Sequence, residues 1–209
     1  PCMTVAVALN LGTTRFKSGQ LAEDGELSGV VIRHAPPVLS EGGCYESDAA
    51  AYAEAADAVL AECLTGMSER PSLGLCSQRS SFVIWERASG RPVTPLISWQ
   101  DDRGMASCEA LREHEGRIRA LTGLPLTPYY LAPKLSVLFG AHPEWRANLS
   151  GGAWMLGTLD SFLIWRWTGG RHHVTDASMA ARTLLMDVHD LQWSAKLCDW
   201  FGVDIAILP

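Results

Sequence analysis

The sequence predicts a mixed α/β fold, and three observations carry the prediction. Three short β-rich segments follow one another across tight turns near the N-terminus. An alanine-rich segment with helical spacing comes next, and strand and helix segments then alternate to Pro209. A meander followed by a crossover helix and more strands is not the pattern of a doubly wound parallel sheet. Helices are therefore expected to flank a mixed sheet.

The elements are justified in order. Val5–Leu9 is a short β-rich run, and Asn10-Leu-Gly-Thr-Thr14 turns it sharply into Arg15–Leu21. Glu23-Asp-Gly25 makes the next turn, into Leu27–Arg33. Ala, Val and Leu at helical spacing predict a helix over Ser47–Leu64, with Ser47 and Asp48 available to cap it. Ser72–Ser77 and Phe82–Glu86 read as strands, and Leu96–Trp99 is a further apolar run. A helical pattern spans Asp102 to Ala120 and is stopped by Gly123 and the prolines at 125 and 128. Pro133 suits the first turn of a helix to Phe139, and Ala153–Leu156 reads as a buried strand. Helices over Phe162–Trp167, Ala177–Arg182 and Ser194–Phe201 complete the chain.

Composition bounds the function. With 209 residues, 47% of them hydrophobic and 19% charged, the chain makes one large domain or two small ones and can bury a core. Intrinsic disorder is excluded by that balance. Seventeen basic against 23 acidic side chains give a net charge of −6, and no Lys/Arg cluster offsets it, which argues against a nucleic-acid partner. The apolar stretches fall short of the ~20 residues that span a bilayer, so no membrane is expected. Six scattered cysteines without a CxxC pair read as free thiols in a reducing compartment, and the N-terminus has no signal-peptide pattern. The expected location is cytoplasmic.

Five segments could carry chemistry. In Asn10-Leu-Gly12-Thr13-Thr14, Gly12 permits a tight turn whose Thr13 and Thr14 hydroxyls and amides can face an anion; the same segment can be only a hairpin. It is neither a P-loop nor a GxGxxG turn. In Cys76-Ser-Gln-Arg79-Ser80-Ser81, Arg79 can offer a rigid fork of donors from a strand end, or serve a surface ion pair. Trp99, in Ser98-Trp-Gln-Asp101-Asp102-Arg103, presents a ring face suited to the C–H face of a polyol, while Asp101 and Asp102 can cap the helix that follows. Tyr129 and Tyr130 stand among prolines between helices, where they can bond a ligand or pack the loop. Asp160 and Asp176 read as helix caps, and the adjacent His172 and His173 point apart, a poor metal pair.

The order and spacing of ALNLGTTRFK, CSQRSSFVIWE, SWQDDRG, TGLPLTPYYLAPKL and GTLDSFLIWRWTGGRHHVTDASMAAR resemble the N-terminal half of the FGGY carbohydrate kinases. The resemblance runs from about Val5 to Pro209. It implies a ribonuclease-H-like domain of the actin and hexokinase type, a mixed sheet flanked by helices. It further implies that residues 1–209 are the substrate-binding N-terminal domain of an enzyme that transfers the ATP γ-phosphoryl group to a hydroxyl of a small sugar or polyol. ATP with Mg²⁺ would sit against a second domain that this chain does not contain, and, since many relatives form dimers, the resemblance allows a homodimer.

Residue by residue, the resemblance makes Arg79 the donor to substrate hydroxyls and Trp99 the surface under the substrate carbon chain. Ser80 and Tyr129 stand at substrate-binding positions, and Asn10, Gly12, Thr13 and Thr14 match the phosphate-facing hairpin. Three departures accompany it. Asn10 stands where the family carries an Asp toward the metal, and an amide cannot neutralise Mg²⁺ as a carboxylate does. Ser80 replaces the Glu of glycerol kinases, which removes an acceptor. The family's catalytic Asp lies in a Gly-Asp-Gln segment absent from this chain, so no catalytic residue is expected in these 209 residues, and the chain alone is expected to be inactive. A non-catalytic carbohydrate-binding or regulatory module is the rival expectation.

Overall fold

The computed structural model describes residues 4–67 and 70–209. Their contacts sort the chain into two units, one of residues through Val38 with Asp48–Gln78, the other of Leu39–Ser47 with Arg79–Pro209. In chain order the strands are β1 (Thr4–Leu11), β2 (Arg15–Ala22), β3 (Leu27–His34), β4 (Leu39–Glu41), β5 (Cys44–Ser47), β6 (Ser72–Ser77), β7 (Phe82–Glu86), β8 (Leu96–Ile97), β9 (Trp154–Thr158), β10 (Met186–Asp187) and β11 (Gln192–Trp193). The helices are α1 (Ala49–Cys63), α2 (Met105–Ala110), α3 (Glu115–Thr122), α4 (Leu131–Ala141), α5 (Pro143–Ser150), α6 (Leu159–Trp167), α7 (Ala177–Ala180) and α8 (Ala195–Phe201).

In the first unit the expected meander forms a sheet of order β3-β2-β1-β6, with β1 antiparallel to β2 and parallel to β6. Alternation decides which face is covered: Val7, Leu9 and Leu11 are buried, while Ala8 and Asn10 point to solvent. Helix α1 follows β5 and leads into β6, and it buries Tyr52, Ala53, Ala56, Val59 and Cys63, the helical spacing that predicted it. Asp48 caps it, accepting from the amides of Ala50 and Ala51 at 2.9 Å each, and Ser47 belongs instead to β5. Near its C-terminal end the Cys63 carbonyl accepts from Gln20 Nε2 at 2.7 Å, which satisfies an otherwise orphaned acceptor.

The second unit is built on an antiparallel sheet of order β4-β5-β8-β7-β9. The β4–β5 hairpin was not among the expected elements. Its turn is Gly42-Gly43, at φ +56° and +85°, which only glycine adopts freely; a Cβ on Gly43 would also fall 2.3 Å from Asp102 Oδ1. Strand β7 is buried on both faces from Phe82 to Trp85, which explains its unbroken apolar run. Phe82, Ile84 and Leu156 of the sheet share a core with Leu135 and Phe139 of α4 and Phe201 of α8.

The single helix expected over Asp102–Ala120 is corrected to three pieces: α2, a 3₁₀ turn at Arg112–His114, and α3. Leu111 leaves the helical region at φ −101°, ψ 11°, and that breaks the helix between α2 and the 3₁₀ turn. Gly104 stands at the start of α2, so neither Asp101 nor Asp102 caps it. Among the described residues no helix is long and apolar enough to cross a membrane.

Candidate functional site

The Asn10–Thr14 segment is the tip of the β1–β2 hairpin, closed by Gly12 N–H donating to the Arg15 carbonyl at 3.2 Å. Two groups hold its base. The Leu11 carbonyl accepts both from Gln78 N–H and from the Tyr52 hydroxyl, each at 2.9 Å. Tyr52 is buried edge-on against Phe16, with ring centroids 4.7 Å apart, and burial pushes its hydroxyl pKa well up, so it stays a donor. Thr13 Oγ1 donates to Gln78 Oε1 at 3.3 Å.

Asn10 is exposed, and its partners across the ladders are Lys17 on β2 and Cys76 on β6. A small Gly12, two threonine hydroxyls and a lysine make a donor set that fits a phosphate. They do not fit Mg²⁺: Asn10 offers one neutral amide oxygen, neither cross-strand partner is a carboxylate, and no metal-holding group of three His, Cys, Asp or Glu occurs among the described residues.

The other predicted site residues lie in the second unit, at the end of the β7–β8 pair. Phe82 opposes Ile97 in the ladder, and just beyond it Ser81 Oγ accepts from Trp99 N–H at 2.9 Å. Trp99 is half-buried and packs on Tyr129, centroids 5.2 Å apart and planes tilted 46°; Tyr130 lies edge-on to Tyr129 at 5.1 Å. Ser80 is a buried non-glycine residue in the left-handed region at φ +66°, a conformation that persists only where surroundings impose it. Its Oγ donates to the Arg182 carbonyl at 3.0 Å. Arg79, beside it, is exposed, and its guanidinium makes no hydrogen bond or ion pair to another described residue.

Sequence reading missed Arg182. Its guanidinium carbon lies 5.5 Å from the Tyr129 ring centre and 5.1 Å from that of Tyr130, and its buried Nε has no partner among the described residues. The Arg182 guanidinium and the rings of Trp99, Tyr129 and Tyr130 therefore form one cluster, and among the described residues no carboxylate is bonded to that guanidinium.

Behind the cluster lies a charged layer. The Asp101 carboxylate is fully buried and accepts from Tyr45 N–H at 2.8 Å and from Arg103 Nε and Nη2 at 2.8 and 2.7 Å; Arg103 also reaches Glu46 at 2.5 Å. Lys134 Nζ, with no solvent exposure, donates to the Ser98 carbonyl at 2.8 Å and the Tyr129 carbonyl at 3.0 Å. Burial, opposed by the Asp101 charge and reinforced by Arg103, brings its pKa down to about 7.

Asp160 is not an N-cap but a buried first-turn residue, accepting from the Thr158 and Thr175 hydroxyls at 2.5 and 2.7 Å; Asp176 does cap α7, through Met179 N–H at 2.9 Å. Burial raises the Asp160 pKa, so the folded protein binds that proton more tightly than the unfolded chain. The stability this contributes is present at low pH and lost as pH rises from the unfolded towards the folded value. Asp160→Asn, which keeps both hydroxyl partners, is expected to gain in Tm relative to the wild type between about pH 4 and pH 7. Thermal denaturation at the two pH values checks it; a relative loss overturns it. His173 bonds the Leu156 carbonyl through Nε2 at 2.8 Å.

The model of the FGGY family of carbohydrate kinases, N-terminal domain, matches residues 5–209. The chain belongs to that family. It is 36% identical to a glycerol kinase of Trichlorobacter lovleyi, with 99% of this chain and 43% of the relative covered, and 38% identical to one of Thermus brockianus over the same shares. Among solved structures, Plasmodium falciparum glycerol kinase with ADP is similar at TM-score 0.80 and 25% identity, covering 98% of this chain and 42% of that one. The xylulose kinase of Lactobacillus acidophilus reaches TM-score 0.85 at 22% identity, covering 99% and 41%, and speaks for the fold. The fold is thus that of sugar kinases of the actin and hexokinase type, and the chain spans less than half the length of the curated relatives it matches.

Proposed function

We propose that the chain is the substrate-binding domain of a cytoplasmic kinase that moves the γ-phosphoryl group of ATP to a hydroxyl of a small sugar or polyol. The observation that carries the reading is the cluster of Trp99, Tyr129 and Arg182, tied through the Arg182 carbonyl to the strained Ser80 that follows Arg79 in the chain. The Trp99 face suits the carbon chain of a polyol, and the exposed Arg79 fork suits its hydroxyls. The Ser80 hydroxyl is buried and donates to the Arg182 carbonyl, which holds the turn that carries Arg79 and leaves the oxygen's lone pairs available as acceptors. Gly12, Thr13 and Thr14 supply phosphate donors on the hairpin. Phosphoryl transfer depends on positioning and charge neutralisation, so ATP would bring its own Mg²⁺, with carboxylates from outside these residues.

Asn10 favours a second reading, a carbohydrate-binding module that has lost catalysis. Calorimetry with glycerol, xylitol, xylulose and gluconate, paired with ADP release from the whole protein, decides between them. The kinase reading expects binding together with substrate-dependent ADP release, and none from the 209 residues alone. Binding without release from the whole protein supports the module. Arg79→Ala is expected to weaken binding about tenfold or more, the worth of a charge-assisted hydrogen bond. Unchanged affinity removes Arg79 from the site.

A further inference from the structure

We propose that Lys134 is a positioning residue whose side-chain nitrogen, by bonding the carbonyls of Ser98 and Tyr129, sets the angle between the Trp99 and Tyr129 rings. The two rings arrive by different routes. Trp99 follows β8, and Tyr129 closes the loop between Gly123 and α4, a stretch that Pro125 and Pro128 deny regular backbone bonds. Lys134 reaches 36 residues back to the carbonyl preceding Trp99 and five residues back to the carbonyl of Tyr129 itself. With Ser81 Oγ holding Trp99 N–H, the peptide in front of the indole is fixed from both sides.

Packing alone does not account for a lysine here. A methionine would fill the same slot without desolvating an amino group, and apolar replacements of buried charges are often no less stable. What a methionine lacks is a directional donor. Asp101 draws the amino group towards this position while Arg103 opposes it, and the two carbonyls complete its coordination. Leu131, Leu135 and Leu138 of the same helix are buried with it. That the rings receive a ligand rests on the reading above; that Lys134 couples them does not, and the test separates the two.

The protein contains eight tryptophans, so 5-fluorotryptophan gives a fluorine spectrum in which a Trp99→Phe variant assigns the Trp99 signal. In the wild type, Tyr129→Leu is expected to displace that signal, because the tyrosine ring lies 5.2 Å away. In Lys134→Met the same change is expected to displace it by less than about half as much, since the rings no longer share a fixed geometry. Lys134→Gln, whose donor ends one bond short, gives the same loss and serves if the methionine variant does not fold. Leu138→Ala, a buried truncation on the same helix, lowers Tm yet keeps the full displacement.

A full displacement in the Lys134 variants, or its loss in Leu138→Ala as well, overturns the proposal. An independent readout needs no variant. Among the three lysines, only Lys134 is expected to show an ammonium signal protected from exchange at about pH 6, Lys17 and Lys196 being exposed. A Lys134 ammonium that exchanges as freely as those of Lys17 and Lys196 also overturns it. A Trp99 signal unmoved by saturating glycerol, xylitol and gluconate overturns the rings as a substrate platform, and with it only that reading.

Discussion

Asp101→Ala is expected to lower stability by about 3–5 kcal/mol, read as a fall in Tm on the order of 10 °C. The carboxylate has no solvent exposure and serves four donors: the amides of Tyr45 and Arg103 and two guanidinium nitrogens of Arg103. Its removal strands the Tyr45 amide at the β5 end and leaves Arg103, only 14% exposed, with Glu46 alone. It also deprives Lys134 of the negative charge that favours its proton. The effect should be one of breaking a pair rather than of the pair's net worth. The double variant Asp101→Leu with Arg103→Met is therefore expected to lose less than Asp101→Ala, because no uncompensated charge remains. The exposed pair Arg112–Glu109, cut by Arg112→Ala, should leave stability almost unchanged, because solvent screens it. Chemical denaturation of the four proteins decides the matter, and a double variant weaker than the single one would sink the argument.

The fold was largely legible because its signals are local. Alternation in β1 and helical spacing in α1 act over a few residues, and Asp48 announces the start of its helix. The β4–β5 hairpin also had a local signal, the Gly42-Gly43 pair, which was open to reading as a turn. The site was legible in part. Arg79, Trp99 and Tyr129 stand out as residue types that bind, but the backbone conformation of Ser80 has no mark in the sequence. Its partner Arg182 lies 102 residues on, a distance that no spacing argument bridges. Asp101 and Asp102 looked like helix caps because an acidic pair before a helix commonly is; the half-buried Arg103 claims Asp101 instead. Lys134 was hidden by its charge. In Leu131-Ala-Pro-Lys134-Leu-Ser-Val-Leu138 it shares a face with Leu131 and Leu138, and that phase was the available sign of burial.

The stability difference between the wild type and Lys134→Met is expected to move in the wild type's favour as pH rises from about 7 to about 10. The folded pKa of Lys134 is about 7, against 10.5 for an unburied lysine. Between those values the unfolded chain holds the proton and the folded protein does not, so stability rises with pH, by at most about 1.4 kcal/mol per unit. Below about pH 7 both states are protonated and the contribution is constant. Thiols titrate in the same window with opposite sign: burial raises Cys108 and Cys198 to about 11, which removes stability as pH climbs. They are common to both proteins and cancel in the difference. Denaturation at three pH values measures it, and a flat difference overturns the assignment. The proton's departure need not release the rings, because a neutral amine retains two N–H groups and there are two carbonyls to receive them. The coupling of Trp99 to Tyr129 should therefore persist across the pH range in which the stability changes, and this separates the role of the nitrogen as a donor from its charge.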